Sequence, residues 1–132
     1  MKKTYTYAPN PFQKMPKRIK KLSVANAVYI VDRDIRGKKI TSQEFKERVK
    51  EVENKFISLF GGVTNDEINH GEFLSKVNHK IITERVARIM SFVEVPIFKK
   101  HRKALEEWLL QKKKEWNQEV IAYEFEGDLY YI

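Results

Sequence analysis

The 132-residue chain (15.7 kDa) is 42% apolar and 33% charged, with five glycines, four prolines and no cysteine, the make-up of one globular domain large enough to bury a core without disulfides. The missing cysteine excludes a disulfide scaffold, a thiolate metal centre and a cysteine nucleophile, and no run near twenty apolar residues is present to span a bilayer. The formal charge is +8, yet residues 1–22 hold seven lysines and arginines and no acid, while the other 110 residues carry 19 basic and 18 acidic side chains. Basicity is therefore a property of an N-terminal arm.

The arm runs over residues 1–22 and the domain over residues 23–132, with the junction near Leu22. Pro9, Pro11 and Pro16 remove backbone donors and favour extended chain. Lysines and arginines alternate there with aromatic rings, the combination that meets phosphates and bases of a single strand. Lys2, Lys3, Tyr5, Tyr7, Lys14, Lys17, Arg18, Lys20 and Lys21 form the candidate nucleic-acid-binding set. The alternative is an edge segment whose aromatics pack on the domain while its lysines stay in water. The sequence MKKTYTYAPNPF lacks the apolar stretch of a signal peptide, so a cytoplasmic location is expected.

Val24 to Val31 (VANAVYIV) is β-rich and apolar on both faces, as expected of a central strand. Thr41-Ser42-Gln43-Glu44 reads as a capping box, and Phe45, Val49, Val52, Phe56, Leu59 and Phe60 follow at steps of three and four along one helical stripe. Gly61-Gly62 should end that helix, with Gly62 in the left-handed conformation. Val63 to Phe73 suits a short edge strand, Lys76 to Lys80 a turn, and Ile81 to Val95 a strand of about ten residues. Pro96 fits the first turn of a second helix reaching about Asn117, with Phe98, Leu105, Trp108, Leu109 and Trp116 on one face. Val120 to Phe125 alternates as a strand, and after the Gly127-Asp128 turn Leu129 to Ile132 can fold back as a hairpin arm. The order β-α-β-β-α-β predicts an α+β, ferredoxin-like domain, a four-stranded antiparallel sheet with two helices on one face.

With these elements in place, Phe60-Gly61-Gly62-Val63-Thr64, then Gly71 and Phe73, Glu84, Leu105-Glu106 and Gln118-Glu119 follow one another at a characteristic spacing. The pattern resembles a family of small, uncharacterised, mainly bacterial proteins and covers about residues 28–132. Phe73 departs from it, standing one position late where the pattern has a tryptophan. The resemblance implies the same fold and no particular activity.

Asp32 and Asp34, at the end of the first strand, share strand parity and could present oxygens to a divalent ion, but Arg33, Arg36, Lys38 and Lys39 surround them and an Asp-rich loop before a helix is common turn chemistry, so no metal site is expected there. Glu84 opens an apolar strand, which makes it either a structural partner of Arg88 or Arg102 or a pocket acid. No phosphate loop, nucleophile elbow, HExxH or dinucleotide fingerprint occurs, so neither a cofactor nor a catalytic set is expected. The residues point to a non-enzymatic interaction protein that self-associates, with a nucleic-acid-associated protein and a divalent-metal-dependent nuclease as alternatives.

Overall fold

The computed structural model describes residues 21–74, 76 and 79–132, and among these described residues there are seven elements. Strand β1 (Val24–Val31) turns Val24, Asn26, Val28 and Ile30 toward the helices and its odd-numbered residues to the opposite face, as the period of two requires. Its apolar residues on both faces suit the middle of a sheet, and β1 is central.

Helix α1 (Ser42–Phe60) starts where the sequence places it. The Glu44 amide donates to Thr41 Oγ1 at 3.1 Å and the Thr41 amide donates to Glu44 Oε1 at 3.5 Å, which satisfies two amides that the first turn would otherwise leave free. At its other end the left-handed residue is Gly61 (φ 84°), whose amide donates to the Ile57 carbonyl at 2.8 Å, so the assignment to Gly62 is corrected by one position. The earlier glycine takes the role because the last intrahelical bond closes on Ile57.

Strands β2 (Thr64–Leu74) and β3 (Ile81–Val93) form a hairpin longer than expected, with a register shift between Ile68 and Gly71. Pro96 then stands in the first turn of α2 (Val95–Glu115), where its missing amide costs no hydrogen bond. Strands β4 (Ala122–Phe125) and β5 (Asp128–Tyr131) are joined through Glu126 and Gly127, both at positive φ, the geometry that matches the twist of a tight hairpin.

The sheet has the order β2-β3-β1-β4-β5, with antiparallel neighbours throughout. The expected four strands are thus corrected to five, because Leu129 to Tyr131 pairs along β4 from Ala122↔Tyr131 to Phe125↔Asp128 rather than lying apart as an arm. Both helices cover the face that bears Val28, Ile30, Ala87 and Ile89, which meet Phe45, Val52 and Phe56 of α1 and Leu105 and Leu109 of α2. Burial of each such side chain contributes roughly 1.5–3 kcal/mol. Phe98 stacks between Phe60 and Phe125, at 6.1 and 5.1 Å between ring centres, and ties both helices to β4. Among the described residues no helix is long and apolar enough to cross a membrane.

Candidate functional site

Strand β1 outlasts its pairing with β4. Against β3 its register continues to Val31↔Val86, but against β4 it ends at Val28↔Tyr123. The segment leading into β4 is held away by other bonds: Ile121 exchanges two backbone hydrogen bonds with Ile132 at 3.0 and 2.9 Å, and Gln118 Nε2 donates to the Arg33 carbonyl. A cavity of about 500 Å³ opens where the two segments part, within the range of small-ligand sites.

Its lining comes from both faces of the sheet. Tyr29, Glu84, Val86, Leu129 and Tyr131 belong to the face without helices, and Ile30, Arg48 and Trp116 to the helical side. Glu84 is half-buried, and neither expected partner holds it: Arg88 is paired with Glu124 and Arg102 with Glu106. Loss of water pushes its carboxyl up to about 7; the nearby Asp32 charge adds to the rise, and Arg33 offsets part of it. Glu84 thus lines the cavity without either of the two partners read from the sequence.

Arg48 is the second charged group of the cavity and is only 9% exposed. Its Nη1 has no hydrogen-bond partner, and its guanidinium lies 5.5 Å from the centre of the Trp116 ring. Burial holds its pKa below the ordinary arginine value, against the opposing pull of Glu44, Glu51 and Asp34. Sequence reasoning missed Arg48, yet a signal was present: it stands three residues after Phe45 and four before Val52, on the apolar stripe of α1.

Tyr29 is fixed from behind. Its hydroxyl donates to Glu124 Oε1 at 2.6 Å, and Arg88 grips the same carboxylate through Nε at 3.1 Å and Nη2 at 2.7 Å. With the hydroxyl so engaged, the ring is held as part of the cavity wall.

The two aspartates serve the turn after β1. Asp32 is 6% exposed and its Oδ1 accepts the Arg85 amide at 2.9 Å, while Asp34 Oδ1 accepts the amides of Arg36 and Lys38, each at 2.9 Å. Among the described residues no group of three or more histidines, aspartates and glutamates is placed to hold a metal ion. Of the arm set, Lys2, Lys3, Tyr5, Tyr7, Lys14, Lys17, Arg18 and Lys20 lie outside the described residues. Lys112 bridges the helices, with Nζ 2.6 Å from Glu51 and 2.8 Å from Glu115.

A second cavity of about 500 Å³ lies between α2 and the β4–β5 hairpin. Its charged groups are already matched, Arg102 lying 3.0 Å from Glu106, and the Tyr123 hydroxyl donates to Asn26 Oδ1 at 3.1 Å. The first cavity alone of these two combines apolar walls with an unpartnered charge.

No family model matches the chain, and no curated protein matches it. Two solved structures do: a phage SAM lyase in complex with S-methyl-5'-thioadenosine (TM-score 0.57) and a phage SAM lyase in the apo state (TM-score 0.51). Each is 14% identical to this chain and matches over 83% of it, covering 88% and 87% of the lyase chains respectively. The fold is shared. The expected non-enzymatic interaction protein is corrected on this likeness, since the solved chains that share the architecture are an enzyme's. Composition could not reveal the cavity, because its lining is gathered from β1, α1, β3 and β5 with no motif spacing between them.

Proposed function

We propose that this chain is an enzyme that binds S-adenosylmethionine in the cavity beside Tyr29 and Glu84 and cleaves it as a lyase, releasing S-methyl-5'-thioadenosine. The observation that carries this reading is a half-buried carboxylate in a largely apolar cavity, within a fold similar to that of a phage SAM lyase. S-adenosylmethionine is a sulfonium cation whose sulfur bears a methyl group, the adenosyl group and an amino-acid arm. The thioadenosine product keeps the first two, so the bond broken joins sulfur to the γ-carbon of the arm; its electron pair stays on sulfur while an oxygen of the arm's own carboxylate bonds to that carbon, and the arm leaves as a cyclic ester without any added water. The cation becomes a neutral thioether. Surroundings poor in water favour such a loss of charge, and the apolar walls supply them. The Glu84 carboxylate and the faces of Tyr29 and Tyr131 offset enough of the cost of bringing the cation in. A cation so placed draws the Glu84 carboxyl back down toward its ordinary range.

Incubation of the purified chain with S-adenosylmethionine, followed by chromatography of the nucleosides, tests the reading. S-methyl-5'-thioadenosine should accumulate, and Glu84→Ala should lower the rate by about 100-fold or more, in keeping with the loss of an electrostatic contact at the reacting charge. Neither turnover nor binding of the nucleoside by the folded wild-type chain would remove it.

The β2-β3-β1-β4 part of the sheet, with α1 joining β1 to β2 and α2 joining β3 to β4, supports a ferredoxin-like core to which β5 adds an edge. Self-association through that edge is supported by Leu129, Tyr130 and Tyr131, which are 54, 50 and 71% exposed on a strand with one unpaired side. Light scattering at micromolar concentration should find an oligomer, and a lone 15.7 kDa species would exclude it. A cytoplasmic location fits a chain without cysteine that acts on a metabolite.

A further inference from the structure

We infer that Arg48 is the recognition group for a carboxylate of the ligand, so that the cavity takes a molecule cationic at one part and anionic at another. This deepens the proposed lyase reading and rests on it for the identity of the ligand: the amino-acid arm of S-adenosylmethionine ends in a carboxylate, and S-methyl-5'-thioadenosine has none.

A guanidinium this deeply buried is costly unless its donors are matched. Nη1 of Arg48 has no hydrogen-bond partner, and the acids around it face other groups, Asp34 and Glu44 through hydrogen bonds and Glu51 through an ion pair. Asp34 Oδ1 accepts the amides of Arg36 and Lys38, Glu44 Oε1 accepts from Thr41, and Glu51 Oε2 sits 2.6 Å from Lys112 Nζ. These three carboxylates act on Arg48 only through their charge. The Trp116 ring lies against the guanidinium, with its centre 5.5 Å from Cζ. A planar fork lining a cavity matches a carboxylate in charge and shape. One unmatched guanidinium suits a singly charged group better than a doubly charged phosphate.

The test is isothermal titration of the full wild-type chain and of Arg48→Met with two nucleosides that are not turned over. S-adenosylhomocysteine keeps the amino-acid arm, and S-methyl-5'-thioadenosine lacks it. Arg48→Met should weaken S-adenosylhomocysteine by about 10–100-fold, the usual loss for a charge-assisted bond, and the thioadenosine by less than about 3-fold. Equal weakening of both, or no change in either, overturns the inference while the lyase reading stands. If the wild type binds neither nucleoside, the lyase reading falls, and titration with L-methionine followed by tryptophan fluorescence decides Arg48. A saturable response lost in the variant then supports a carboxylate site, and no response in the wild type overturns it. Arg48→Gln replaces Arg48→Met should the latter fail to give a cooperative melt.

Discussion

Two of the domain's arginine–glutamate sets stand in contrasting states. Arg88 and Glu124 face each other across β3 and β4 on the side without helices, each side chain 18% exposed, with three short hydrogen bonds that include the Tyr29 hydroxyl. Arg48 and Glu84 line one cavity; Nη1 of Arg48 has no hydrogen-bond partner, and the two arginines expected to pair with Glu84 hold other carboxylates. A matched set locks strands in register, whereas an unmatched set spends folding stability on capacity to bind. Tyr29 links the two, with its hydroxyl in the matched set and its ring in the cavity wall.

Breaking the matched set should have the largest effect on stability. Glu124→Ala leaves the Arg88 guanidinium and the Tyr29 hydroxyl without their acceptor, and urea denaturation should show a loss of about 3 kcal/mol. A loss below about 1 kcal/mol would mean that water replaces the carboxylate and that the two sets differ less than their geometry implies.

Next comes Glu84, whose carboxyl is raised from 4.5 to about 7 chiefly by burial. The folded state then holds its proton more tightly than the unfolded state, so the stability this group contributes is present below pH 4.5 and is lost as pH rises to about 7. Wild type should lose about 1–3 kcal/mol relative to Glu84→Gln over that interval, measured by denaturation at pH 4.5, 6 and 8. Parallel curves for the two proteins would place Glu84 in water.

The smallest effect, and of opposite sign, is expected for Arg48→Met. Removal of a buried guanidinium with an unmatched donor should leave stability unchanged or raise it by up to about 1 kcal/mol. A calorimetric melt checks this, and destabilisation by about 2 kcal/mol or more would move Arg48 to the matched class.

Local rules made much of the architecture legible. Thr41 and Glu44 mark the start of α1, the 3.6-residue stripe marks its buried face, and Pro96 marks the start of α2. The end of α1 was one residue less certain, because two adjacent glycines offer the same freedom and only the bond from Gly61 to Ile57 distinguishes them. β5 was half legible: four apolar and aromatic residues after a turn announce a fold-back, but pairing with β4 depends on the positive φ of Glu126 as well as of Gly127. Of the site, Glu84 stood out as a charge in an apolar strand, while Arg48 lay on the apolar stripe of α1 without being noticed.

The sequence by itself determined the two helices, the central place of β1 and the concentration of basic charge in the first 22 residues, because helix caps, periodicity and charge are read from neighbours along the chain. Only the tertiary structure decided where β1 and β4 part company, and with it the cavity. That divergence follows from bonds between residues far apart in sequence, Ile121 with Ile132 and Gln118 with Arg33, and whether Arg48 and Glu84 find partners depends on which groups those bonds bring within reach.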